Sequence, residues 1–91
     1  MSMEINCSHI LVKSKEEADR IAEKLKAGGD FAELASRFSV CPSGREGGNL
    51  GWFGKGAMVS EFENAAFALE KDETSTPVKT EFGWHLIKRL G

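Results

Sequence analysis

Two histidines, a loop cysteine and a glycine-rich aromatic block are the parts of this chain that could do chemistry. His9 sits in the apolar run NCSHILVK beginning at Asn6, and His85 in FGWHLIK beginning at Phe82. Between them comes GGNLGWFGKGAMVSEFE, residues 47–63, and just before it Cys41 opens a loop rich in Gly, Ser and charged residues. Both histidine runs are β-favouring, so paired strands could bring the two imidazoles together over a pocket lined by the middle block. A buried histidine pair beside an apolar pocket points to chemistry done by environment, without a metal or a nucleotide.

Two rival sites can be weighed on spacing. Cys7, His9, Cys41 and His85 are the right ligand types for zinc. Cys7-Ser8-His9 is nevertheless a poor chelate within a strand, and no C-x-x-C or H-x-x-x-H pair is present. No metal is expected. Gly47, Gly48, Gly51, Gly54 and Gly56 suggest a phosphate cradle, but neither G-x-x-x-x-G-K-[ST] nor a strand-to-helix G-x-G-x-x-G occurs. No cofactor is expected.

Composition narrows the class further. A net charge of −2 over 91 residues, with charges interspersed, argues against a nucleic-acid binder. The mildly basic face around Lys79, Lys88 and Arg89 reads as solvated. No apolar stretch approaches the roughly 20 residues that span a bilayer. The start, MSMEINCS, lacks the charged and apolar regions of a signal peptide. Cys7 and Cys41 make no disulfide framework, and Cys7 reads as a small buried residue. The expectation is a single domain over residues 1–91, monomeric and cytoplasmic, with free thiols.

The elements that must position the site follow from patterning. Residues 5–12 alternate, with Ile5, Cys7, His9 and Leu11 on one face. Ser14 with Glu17 forms a capping box for a helix whose stripe is Ala18, Ile21, Ala22 and Leu25, ended by Gly28-Gly29. Asp30 with Glu33 opens a second helix with Phe31, Leu34, Ala35 and Phe38 inward. Residues 39–48 read as a loop and residues 50–53 as a short strand. Ser60 with Glu63 reads as a third capping box, for a helix bearing Phe62, Ala66 and Leu69. Residues 76–80 and 82–90 form an antiparallel hairpin turning near Glu81-Phe82-Gly83. The order β-α-α-β-α-β-β predicts an α+β architecture, a small sheet with helices packed on it.

Four stretches, CSHILVK from Cys7, SVCPSG from Ser39 continuing to GGNLGWF, MVSEF from Met58, and FGWHLIK, closely resemble the parvulin family of peptidyl-prolyl cis/trans isomerases. The resemblance runs from about Ile5 to Leu90 in the correct order. It implies the parvulin (FKBP-like) fold, a four-stranded antiparallel sheet surrounded by helices, and catalysed rotation about bonds preceding proline in unfolded or flexible polypeptides. It places His9 and His85 on the two central strands and Thr80 in their hydrogen-bonded network. Cys41 falls where the family has Cys or Asp. Leu50, Met58 and Phe62 would line the proline pocket, with Phe82 at its rim. On patterning alone, Leu50, Met58 and Phe62 would read as ordinary core.

The chain departs from the family pattern in two places. Many relatives have proline where Glu61 stands. Members directed at phosphorylated Ser/Thr-Pro carry a basic loop after the first strand, whereas here Val12, Lys13 and Ser14 run straight into the helix cap. A phosphate dianion wants several Arg or Lys donors, so no phospho-specificity is expected. Cys41 could act as a nucleophile on the substrate carbonyl. Asp at this position in relatives favours an electrostatic role instead. The alternative function is a chaperone-like module that binds proline peptides with weak or no catalysis.

Overall fold

The computed structural model describes residues 3–91. Met1 and Ser2, the first residues of the segment read as lacking a leader, lie outside them. The elements are β1 (Glu4–Val12), α1 (Lys15–Lys26), α2 (Phe31–Phe38), β2 (Asn49–Gly54), α3 (Ser60–Ala68), β3 (Val78–Thr80) and β4 (Gly83–Arg89). A 3-10 turn occupies Pro42–Glu46 inside the expected loop. The four strands form one antiparallel sheet in the order β2-β1-β4-β3, so the expected order of elements holds and both histidine strands are central.

A central strand covered on both faces must be apolar on both. The α1 and α2 side receives Ile10, Val12 and Leu86, packed with Ala18, Ile21, Phe31, Leu34 and Ala35. The α3 side receives Ile5, Cys7 and Ile87, packed with Phe53, Phe62, Ala66 and Leu69. The second cluster stops short of the end where His9 and Leu11 lie, and the pocket opens there.

The first two helices start as the capping boxes predict. Ser14 Oγ accepts the Glu17 N–H at 3.2 Å and an Asp30 carboxylate oxygen accepts the Glu33 N–H at 2.9 Å. The third box does not form. Extended Val59 is the cap of α3, Ser60 is already helical, and the Glu63 carboxylate accepts a hydrogen bond from the Gly56 N–H instead. Phe38, expected inward, is 40% exposed. It is the last residue of α2 and lies beside Glu17, Arg20, Ile21 and Lys24 of α1. The strand expected over residues 76–80 shortens to Val78–Thr80 because Pro77 has no N–H to give to a ladder. Pairing with β4 resumes before it, where the Ser75 N–H donates to the Ile87 carbonyl at 2.7 Å. At the far end of the sheet the Asn6 N–H donates to the Gly91 carbonyl at 3.1 Å, and the Gly91 N–H returns to the Asn6 carbonyl.

Candidate active site

The register of β1 against β4 pairs His9 with Ile87 and Leu11 with His85. The two histidines are therefore diagonal neighbours on the face toward α3. Their rings stack with centroids 5.2 Å apart, and Nδ1 of one lies 3.0 Å from Nδ1 of the other. They are 6% and 4% exposed. The β3–β4 hairpin brings Thr80 behind His85, with Oγ1 2.7 Å from Nε2, while the Phe82 N–H donates to the same hydroxyl at 3.2 Å. On the other side His9 Nε2 lies 3.2 Å from Ser43 Oγ, and Ser43 Oγ lies 3.3 Å from Cys41 Sγ. A single row of hydrogen bonds thus runs Thr80, His85, His9, Ser43, Cys41.

Ser43 is the member that sequence reasoning missed. Its only signal was a hydroxyl two residues after the loop cysteine. The loop is pinned to β1 at Leu11, whose N–H donates to Ser39 Oγ at 3.0 Å and whose carbonyl accepts the Val40 N–H at 2.8 Å. Pro42 then starts the 3-10 turn that aims the Ser43 hydroxyl at His9. After the turn the Gly48 carbonyl accepts the His9 N–H at 2.9 Å. Gly48 has φ +82°, and a Cβ there would collide with the His9 carbonyl oxygen, so this close crossing requires glycine.

The proton positions follow from counting donors. Neutral rings must share one proton at the Nδ1 contact, which leaves two arrangements of the row. With His85 donating to His9, Thr80 O–H donates to His85, His9 Nε2–H donates to Ser43, and Ser43 O–H donates to the Cys41 sulfur. In the reverse arrangement Thr80 Oγ1 accepts from both His85 and Phe82, and its own proton has no acceptor in the row. Thr80 is buried, so the first arrangement is favoured. It directs a donor at the sulfur and supplies no base to deprotonate it. Burial, and secondarily the charge His85 would carry, push His9 down to about 4. Burial also lowers His85. Both rings are neutral at pH 7.

Beside the row lies a cavity of about 420 Å³, lined by His9, Cys41, Leu50, Met58, Phe62, Phe82 and His85 and completed by Leu11, Ala57 and Val59. Thr80 alone of the expected site residues does not reach it. Phe62 forms its floor, standing nearly perpendicular to both imidazoles with centroids 5.6 Å from His9 and 5.2 Å from His85. Leu50 joins the wall at a bulge in β2, opposite the step from Cys7 to Ser8, where the Asn49 side chain accepts the Gly51 N–H at 2.6 Å. Phe82 is 52% exposed and forms the rim. A somewhat larger cleft of about 530 Å³ between α1 and the segment Thr74, Ser75, Thr76 and Pro77 contains no imidazole or thiol. Among the described residues no three His, Cys, Asp or Glu side chains converge on a metal position. Cys7 is buried in the apolar cluster, where burial raises its thiol to about 11 despite the opposing effect of Arg89, so it is chemically quiet.

The chain is similar to known proteins over most of its length. The family model described as Rotamase, the PPIC-type PPIase domain, matches residues 9–90. The chain is 54% identical over 86 residues to the foldase protein PrsA of Halalkalibacterium halodurans, covering 93% of this chain and 26% of that protein. It is 50% identical over 91 residues to a parvulin-like PPIase of Rickettsia typhi, covering 96% of this chain and 32% of that one. The chain therefore spans about a third or less of the length of these curated relatives. Among solved structures it matches NmPin, the parvulin of Nitrosopumilus maritimus, with a TM-score of 0.89 and 52% identity, covering 100% of this chain and 99% of that one.

Proposed function

The chain belongs to the PPIC-type peptidyl-prolyl cis/trans isomerases, the parvulin family, and from that premise we propose that it rotates X–Pro bonds in unfolded or flexible polypeptides, without a covalent intermediate and without phospho-specificity. An X–Pro bond turns over tens to hundreds of seconds unaided. Raising that to roughly 10–1000 turnovers per second requires about 4–7 kcal/mol of stabilisation selective for the twisted amide. In the twisted state amide resonance is lost and the carbonyl is less polarised. A pocket that holds the pyrrolidine ring on Met58, Phe62 and Leu50 favours that state if it fits the half-rotated peptide better than the planar one.

Cys41 and the imidazole row act on the carbonyl side of this scheme. The observation that carries the reading is the buried His9–His85 contact at 3.0 Å, which with the adjoining Phe62 lines an apolar cavity. Because the row directs Ser43 O–H at the sulfur, Cys41 serves as a fixed polar group and the histidines as its positioning residues. Cys41→Asp is expected to keep kcat/KM within about tenfold, whereas a folded but inactive variant would return the cysteine to a nucleophilic role.

The lysines after β1 support the absence of phospho-specificity. Lys13 Nζ donates to the Phe82 carbonyl at 3.3 Å and Lys15 pairs with Asp19 at 3.0 Å, and no arginine stands beside them in the β1–α1 connection. We propose a cytoplasmic location as well, a reducing compartment that two free thiols would suit. The decisive measurement is NMR exchange between cis and trans forms of X–Pro peptides at catalytic protein concentration, with phosphoserine-Pro and Ser-Pro in the panel. Accelerated exchange that does not increase on phosphorylation is expected. Binding without acceleration would make the domain a chaperone-like binder.

A further inference from the structure

The cavity's outer lip is the connection from β2 to α3, and it contributes Ala57, Met58 and Val59 to the lining. The connection has little secondary structure of its own, and its turn places Gly56 at φ +93°. Met58 and Val59 pack on the α3-side cluster, and at Lys55 and Gly56 two contacts from α3 tie the turn down. The Glu63 carboxylate accepts the Gly56 N–H at 2.5 Å, and Lys55 Nζ lies 5.6 Å from the Phe67 ring centre. Glu63 and Phe67 are four residues apart, hence on one side of the helix. On the same helix Phe62 forms the cavity floor.

We propose that Glu63 is a positioning residue for substrate binding: its carboxylate fixes the Gly56 turn and so sets the height of Met58 over the proline site. The inference rests on the isomerase reading above. Floor and lip are then fixed to one rigid element, and their separation follows from α3 itself. Without the carboxylate the Gly56 N–H turns to water, the turn is free to swing, and Met58 is held by its packing on the cluster alone. The floor and the imidazole row are untouched. The loss therefore falls first on affinity for the proline peptide, with a smaller effect on the rotation step, which Phe62 and Leu50 still support.

The test compares Glu63→Ala and Glu63→Gln with the wild type in the NMR exchange assay, together with thermal unfolding and the Gly56 amide resonance. Glu63→Ala should raise KM about fivefold, with kcat within about twofold, since an ionised hydrogen-bond partner is lost from a partly exposed site. The Gly56 amide proton should move upfield and exchange faster with solvent. Glu63→Gln keeps an acceptor oxygen and should recover most of the affinity. Lys55→Ala should give a smaller rise in KM. An unchanged KM in Glu63→Ala, a fall confined to kcat, or a failure of Glu63→Gln to recover the affinity would each overturn the proposal. A wild type that binds proline peptides without accelerating exchange would sink the isomerase reading alone, and the same variants would then be judged on Kd.

Discussion

The two faces of the sheet are built from the same strands to different ends. Under α1 and α2 the core cluster is made of aliphatic and aromatic side chains and holds no titratable group. Under α3 the cover stops one helix short, and the space holds two imidazoles, a threonine, a serine and a thiol in one hydrogen-bonded row. The closed face is stabilised chiefly by burial, whereas the open face depends on every polar atom having a partner. Stability and function are therefore expected to separate across the sheet.

The strongest challenge to that separation is a matched pair of truncations. Leu34→Ala on the closed face and Phe62→Ala on the open one should each cost about 2–5 kcal/mol in unfolding experiments. Only Phe62→Ala should also lower kcat/KM of the remaining folded protein, by roughly a hundredfold, because the ring supplies the pocket floor. Equal activity in the two variants would dissolve the contrast.

Acid should act next most strongly, and on one face only. His9 is depressed from its ordinary 6.5 to about 4 and His85 is also lowered. The unfolded chain then binds protons that the folded chain refuses. The associated stability is full above about pH 6.5 and is lost as pH falls through the folded values, by up to about 3 kcal/mol from His9. A first proton can be shared within the row, but a second sets N–H against N–H at the Nδ1 contact. Urea titrations at pH 7 and pH 4.5 should show the fall. A flat or inverted dependence would mean the imidazoles are charged in the native protein.

The smallest effect belongs to the closed face. Ser14→Ala removes the cap of α1 and should cost about 1 kcal/mol, lowering Tm by about 4–8 °C. Activity at 25 °C should not change. A change in kcat/KM would show that the helices behind the sheet tune the pocket.

The closed face was also the more legible in sequence. Helical periodicity and two capping boxes are local signals, and Ser14, Asp30 and the stripe from Ala18 to Ile21 behave as those signals dictate. Where local signals misled, a longer-range contact had taken over. Glu63 bonds to the β2–α3 connection rather than to Ser60, and Phe38 lies half-exposed against α1. The histidine pair could be anticipated because two apolar strands carried one imidazole each, and the parvulin resemblance assigned Thr80, Cys41 and the pocket apolars. Ser43 could not be anticipated in that way. Its role arises from a 3-10 turn and from the anchoring of Ser39 and Val40 on Leu11, and no periodicity encodes either.

The pairing of Asn6 with Gly91 sets the residue that follows the last strand beside the beginning of the first, two residues inside β1. A fold with that geometry behaves as a cassette. Spliced into a host loop, it asks the host to open by little more than the spacing of a few residues on neighbouring strands.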